Sequence, residues 1–295
     1  MSYEKHHITI DADQVALHRF YKSNNDVPVL LLHGSIENGK IFYTKGGKGL
    51  APYLSQLGFD VYVPDMRGKG ESMPKVSSKH NHSQFEQITV DIPRYLEKIK
   101  NIRPFSKIHF GAHSWGGVLL LGYLARFNDK RVCSMVFFGT KRKIYIKTLQ
   151  KKLLIDLGWS WLGRFAISKK GYFPAKDWKL GAENEPKNFY LQTDIWLKSN
   201  DWIDSIDGFN YKESIRGLNL PPTLYINGIK DRVLGNPSDV QQLIDETGAN
   251  KNTQTLLIGK RNGNLANYGH IDMLTHPKAP SDHFPAVAEW FKRFD

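Results

Sequence analysis

Eight short runs of apolar and β-branched residues punctuate the chain: HHITI, QVALHRFY, PVLLLHG, FDVYVPDM, KIHFGAHS, VCSMVFFGT, PTLYINGIKD and NTQTLLIG. The first two are close enough to pair as a hairpin. The later ones are separated by segments long enough for crossover helices. That alternation predicts an α/β architecture, a mostly parallel sheet with an N-terminal hairpin and helices on both faces. Helical patterns fall near Lys48 to Leu57, Gln84 to Lys100, Trp115 to Phe127, Pro237 to Thr247 and Asp282 to Phe291, and Pro93 interrupts the second.

Between the sixth and seventh runs the rhythm breaks. Residues 141–220 hold five of the seven tryptophans, and the segment reads as an inserted, mostly helical cap on a core domain made of 1–140 and 221–295. No repeat or low-complexity linker accompanies it, so the cap is expected to pack on the core. Within it Ile146, Leu149, Leu153 and Leu157 form a helical apolar stripe bordered by Lys147, Lys151 and Lys152. Burial against the main domain is the first expectation for that stripe; the alternative is a surface helix that meets anionic lipid.

With 295 residues and 40% apolar content, the chain has material for one substantial core. Its charge, +12, biases encounters towards anionic surfaces or ligands. Nine Lys or Arg and one acid, Asp156, fall between Lys141 and Lys170. No helix-turn-helix, zinc-finger or RNP pattern accompanies them, so a solvated basic face is expected rather than nucleic-acid binding. The opening MSYEKHHITI lacks a secretory apolar region, no run is long enough to span a membrane, and a cytoplasmic location is the expectation. The single cysteine, Cys133, cannot form an internal disulfide and reads as a buried, inert thiol.

The stretch FGAHSWGG, residues 110–117, puts a serine between small residues where a strand ends. A sharp strand-to-helix turn lifts such a hydroxyl clear of the backbone, and Ala112 and Gly116 leave the room it needs. A lone serine is a poor nucleophile and requires a base and a group that orients the base. Asp231, closing PTLYINGIKD, and His270, in the late loop NYGHIDML, follow Ser114 in the order such a triad takes. The amide of Trp115 and that of Ser35, in the loop HGS, supply candidate donors for the oxyanion.

These segments together, HGS at 33–35, DMRGKGES at 65–72, AHSWGG at 112–117, NGIKDRV at 227–233 and YGHIDM at 268–273, resemble the α/β-hydrolase family over the whole chain except the cap. The resemblance implies the α/β-hydrolase fold, a nucleophile at Ser114, an acid at Asp231, a base at His270 and an oxyanion hole from the amides of Ser35 and Trp115. Ala112 stands where the GxSxG pattern has its first glycine, and HGS is shorter than the HGGG form of many lipases. A serine rather than an aspartate at 114 argues against dehalogenase and epoxide-hydrolase chemistry. The expected activity is cofactor-independent cleavage of carboxylic esters with apolar acyl groups, since an aromatic cap favours burying hydrocarbon. Thioester or peptide hydrolysis, or a non-catalytic binding protein whose basic cap docks an anionic membrane or partner, remain alternatives on the same residues.

Rival residues exist for each role. Asp201, Asp204 and Asp207 compete with Asp231, and His276 and His283 with His270. His33 and His113 flank the serine and read as structural. His6 with His7, and His80 with His82, lack the further ligands a metal site needs, so no metal or cofactor is expected. RGKG at 67–70 lacks the phosphate-loop pattern and reads as a tight turn.

Overall fold

The structure, a computed structural model, describes residues 1–22, 27–248 and 251–295. All eight apolar runs become strands of one sheet: β1 (Ser2–Ile10), β2 (Asp13–Tyr21), β3 (Val27–Leu32), β4 (Phe59–Pro64), β5 (Ile108–His113), β6 (Val132–Phe138), β7 (Thr223–Gly228) and β8 (Thr253–Ile258). They lie side by side in the order β1-β2-β4-β3-β5-β6-β7-β8. β1 and β2 form the antiparallel hairpin, with Ser2 opposite Tyr21 and Ile10 opposite Asp13, and β2 joins β4 antiparallel. Every other pairing is parallel.

The strand sequences explain the layering. Along β3, Leu30 and Leu32 enter one core and Val29 and Leu31 the other, so near-continuous apolar strands serve two buried faces. On the first face pack α2 (Ile92–Ile102) and α3 (Trp115–Phe127), through Ile92, Tyr95, Val118 and Leu121. On the second pack α1 (Leu50–Gln56) and the last helix (Phe284–Arg293), through Leu50, Leu54, Phe284 and Phe291. Ahead of Pro93 the chain winds wider over Gln87–Asp91, and the Ile92 amide donates to Gln87 O. The proline, which has no amide hydrogen, sits in the first turn of α2.

The segment between β6 and β7 contains the helices Gly163–Lys170, Lys187–Trp196 and Tyr211–Arg216, and also a two-stranded antiparallel pair, Tyr172–Phe173 with Glu185–Pro186. Of its apolar stripe only Ile146 packs, half-buried, against the core, and the three leucines do not lie where burial was expected. The helix starts only after the Thr148 cap, so Ile146 is outside it, and Lys152–Leu162 winds with wider i→i+5 turns that keep residues four apart on nearly one face. Leu149, Leu153 and Leu157 are exposed, and Trp161 and Phe165 continue the same face at 66% and 60% exposure. The inward face is carried instead by Ile155 and Trp159. The solvated basic face also needs correction at its first two members. Lys141 and Arg142 are buried, because the chain leaving β6 runs under the inserted segment before reaching the surface.

Candidate active site

Ser114 follows β5 at φ 51° and ψ −120°, a left-handed conformation that an L-residue holds only when its surroundings enforce it. Its amide donates to Phe138 O at 2.8 Å, tying the turn to β6, and its own carbonyl accepts from Thr140 Oγ1 at 2.9 Å. The hydroxyl has no hydrogen-bond partner among the described residues, and Ser114 lines a cavity. The small neighbours are needed: a Cβ on Gly34 would fall 2.9 Å from Ser114 Cβ, so the HGS loop lies directly against the turn.

Asp231 and His270 meet beside it. Asp231 sits in the turn after β7, its amide donating to Gly228 O at 2.9 Å. Its Oδ1 accepts from the Gly235 amide at 2.8 Å, and its Oδ2 is 2.5 Å from His270 Nδ1. Burial pushes the Asp231 carboxyl up, but the His270 ring and the Gly235 amide outweigh it and leave the pKa below the usual range. Burial pushes the His270 pKa below 6.5 against the pull of Asp231, so the imidazole is neutral at pH 7. With Nδ1–H directed at Asp231, Nε2 is left with its lone pair. The ring has room because position 139 is glycine at φ 58°; a Cβ there would come 2.9 Å from His270 Nδ1. His270 and Ser114 line the same cavity with no hydrogen bond between them, a link that often tightens only when substrate is bound.

The amides of Ser35 and Trp115 donate to no protein acceptor among the described residues. The loop that carries Ser35 is held from the inserted segment. Glu185 Oε1 accepts from Ser35 Oγ at 2.8 Å, from the Ile36 amide at 2.5 Å and from Lys69 Nζ at 2.7 Å.

A second pair underlies the site that sequence patterns did not single out. Glu37 Oε2 accepts from the Gly34 amide and from His113 Nδ1, each at 2.8 Å, while His113 Nε2 donates to His270 O at 2.9 Å. Both His113 nitrogens face acceptors, so the ring carries both protons. Burial would discharge it, yet the Glu37 carboxylate holds its pKa above 6.5, and Glu37 itself is held at about 2. His113 thus bridges the loop carrying the Ser35 amide and the loop carrying His270. The structural role expected for His113 is this bridge. Only the short separation of Gly34 and Glu37 in HGSIE hinted at the acid.

The rivals lie elsewhere. Asp204 and Asp207 bind Arg126, Asp201 is exposed, and His283 donates to Met273 O. His33 donates to Gly34 O and accepts from the Met66 amide, and burial lowers its pKa to about 4. Glu37, His113 and His270 bring ligand-type atoms within 4.8 Å of one another, but His113 spends both nitrogens and His270 spends Nδ1 on the bonds above, which leaves one free nitrogen for a cation. Cys133 is half-buried rather than buried, and burial pushes its thiol up to about 11.

The cavity measures about 690 Å³ and is mostly apolar, with Ile144, Leu154, Ile155, Trp159, Phe173 and Leu197 among its walls. Most of that wall comes from the segment between β6 and β7.

A family model described as the alpha/beta hydrolase fold matches residues 27–164. A probable lysophospholipase L2 of Haemophilus influenzae is 32% identical over 103 residues, 34% of this chain and 32% of that protein. Lipase 1 of Drosophila melanogaster is 26% identical over 140 residues, 44% of this chain and 32% of that protein. The chain thus spans about a third of the length of these curated relatives. A thermophilic esterase from Thermogutta terrifontis superposes with a TM-score of 0.62 at 16% identity, covering 99% of both chains.

Proposed function

From the premise that the chain has the α/β-hydrolase fold, we propose that it is a serine hydrolase that cleaves carboxylic esters of apolar acyl groups through an acyl-enzyme. The observation that carries this reading is the Asp231–His270 hydrogen bond at the cavity that Ser114 lines from a left-handed turn. His270 Nε2 takes the proton of Ser114 Oγ as that oxygen attacks the ester carbonyl carbon. The charge on the carbonyl oxygen is met by the Ser35 and Trp115 amides, and the collapsing intermediate expels the alcohol, protonated by His270. Water, deprotonated by the same ring, then attacks the acyl carbon, Ser114 leaves with the proton, and the carboxylic acid is released. The apolar walls support a hydrocarbon acyl chain. The names of the two relatives, a lysophospholipase and a lipase, support an ester as the bond cleaved.

The test is labelling with a fluorophosphonate and turnover of para-nitrophenyl esters of graded chain length. Wild type labels and turns over, and Ser114→Ala does neither. A Ser114→Ala protein that keeps wild-type turnover refutes the reading.

The partner is an anionic membrane. Leu149, Leu153, Leu157, Trp161 and Phe165 present one exposed apolar face, and Lys147, Lys152, Arg164 and Lys169 are exposed around it. Apolar side chains with a basic rim suit the interfacial zone of anionic lipid, and the inward side of this segment walls the cavity. No helix among the described residues is long and apolar enough to cross a membrane. The cytoplasmic location is supported by the single cysteine, which can form no internal disulfide and so suits a reducing compartment. Vesicles with phosphatidylserine are expected to bind at least about tenfold tighter than neutral phosphatidylcholine vesicles, with Trp161→Ala/Phe165→Ala removing the binding; equal binding by the double variant refutes the membrane contact.

A further inference from the structure

Five Lys or Arg side chains are buried among the described residues: Arg19, Arg67, Lys69, Lys141 and Arg142. Four have a carboxylate in direct contact: Asp60 for Arg19, Asp91 for Arg67, Glu185 for Lys69 and Glu246 for Arg142. Lys141 is 4% exposed and has no hydrogen-bond or ion-pair partner among the described residues. It lines the cavity with Ser114 and His270, and it follows Thr140, whose hydroxyl holds the Ser114 carbonyl.

The acids around Lys141 do not pair with it. Asp231 gives its oxygens to Gly235 and His270, and Glu37 Oε2 serves Gly34 and His113. Asp239 Oδ1 accepts from the Tyr145 amide, while its Oδ2 is buried without a hydrogen-bond partner among the described residues and is not within ion-pair distance of Lys141. Their fields favour the ammonium form, while burial pushes its pKa below the ordinary 10.5. An ammonium that reaches a mostly apolar cavity without a direct acceptor is poorly compensated, and an anion brought into the same low-dielectric space by a ligand supplies the missing partner.

Resting on the ester-hydrolase reading of Ser114, we infer that Lys141 recognises an anionic group, a carboxylate or a phosphate, carried by the substrate in the same cavity as its scissile ester. The substrate is then an amphiphile, with a hydrocarbon part against the apolar walls and a charged part on Lys141. The charge belongs either to the acyl group, as a second carboxylate, or to the alcohol, as a phosphate monoester.

Two matched pairs separate those sources. Para-nitrophenyl octanoate against mono-para-nitrophenyl suberate tests the acyl side, and a monoacylglycerol against its phosphate monoester tests the alcohol side. Wild type is expected to show kcat/KM at least about tenfold higher for the anionic member of one pair, the scale of one charge-assisted hydrogen bond. The ratio falls to about one in Lys141→Met and is retained in Lys141→Arg. Binding is read independently in the Ser114→Ala protein, by titrating dodecyl phosphate, dodecanoate and dodecanol while following tryptophan fluorescence, since Trp115 and Trp159 line the cavity. At least one of the two anions is expected to bind about tenfold tighter than the alcohol, and the additional Lys141→Met exchange abolishes the difference. Ser114-dependent turnover with no anionic preference in either pair overturns the assignment of Lys141 and leaves the hydrolase reading standing. Lys141-dependent anion binding in a protein that turns over no ester overturns the hydrolase reading while the anion site persists. Equal binding of anions and alcohol, with or without Lys141, removes the site altogether.

Discussion

Replacing Glu37 by glutamine keeps the shape of the side chain and removes its charge, which isolates the ion pair beneath the proposed catalytic residues. The Glu37 carboxyl is largely buried and held at about 2 against an ordinary 4.5, chiefly because the His113 imidazolium, with help from the Gly34 amide, overcomes its burial. A carboxyl lowered that far contributes about 3 kcal/mol to the folded state at neutral pH, the scale seen when one partner of a buried pair is removed. The sign follows from the lowered pKa: the contribution is complete above the unfolded carboxyl's range near 4.5 and is lost as pH falls towards 2. Urea denaturation at pH 7 should therefore place Glu37→Gln about 3 kcal/mol below wild type, or about 6 °C lower in Tm. The gap should narrow to about 2 kcal/mol by pH 3.5, because the wild type alone loses the contribution. Because His113 also holds the His270 carbonyl, kcat should fall more than KM rises. A gap under about 0.5 kcal/mol at pH 7, or one that does not change with pH, would refute the charged Glu37–His113 pair.

Other outcomes follow from single contacts. The acid limb of kcat should lie below pH 6.5, since burial lowers the His270 pKa and activity is lost only when that ring gains a proton; a midpoint above 7 contradicts the assignment. Gly34→Ala puts a Cβ 2.9 Å from Ser114 Cβ and 3.1 Å from His113 O, and displacing the loop by that contact should cost about a hundredfold in kcat, measured with a nitrophenyl ester. Cys133, with its thiol pushed up to about 11, should react with iodoacetamide in the native protein more than about a hundredfold slower than free cysteine, as followed by mass spectrometry.

Local features of the chain were legible without coordinates. The eight strands, α3 and the turn at Ser114 are written in short apolar runs, small residues and the 3.6-residue period, all of which act over a few positions. The order Ser114, Asp231, His270 could be read in the same way. Whether the last two touch could not, because a loop 39 residues further on has to fold back onto the turn after β7. The cap stripe marks the limit. Its period announced an apolar face, but the period is blind to what covers that face, and Leu149, Leu153 and Leu157 are exposed, Leu153 at the cavity, while Ile155 and Trp159 took the inner side.

Charge was the least legible quantity. Lys141 belongs by position to a basic run that reads as solvated, and Glu37 and His113 stand 76 residues apart. The sequence alone determined which groups can carry charge and which segments can form strands or helices, since those are properties of residues and their neighbours. The tertiary structure alone decided which charges were taken out of water and what they were left to face, because burial and Coulomb energy depend on distances that only packing sets.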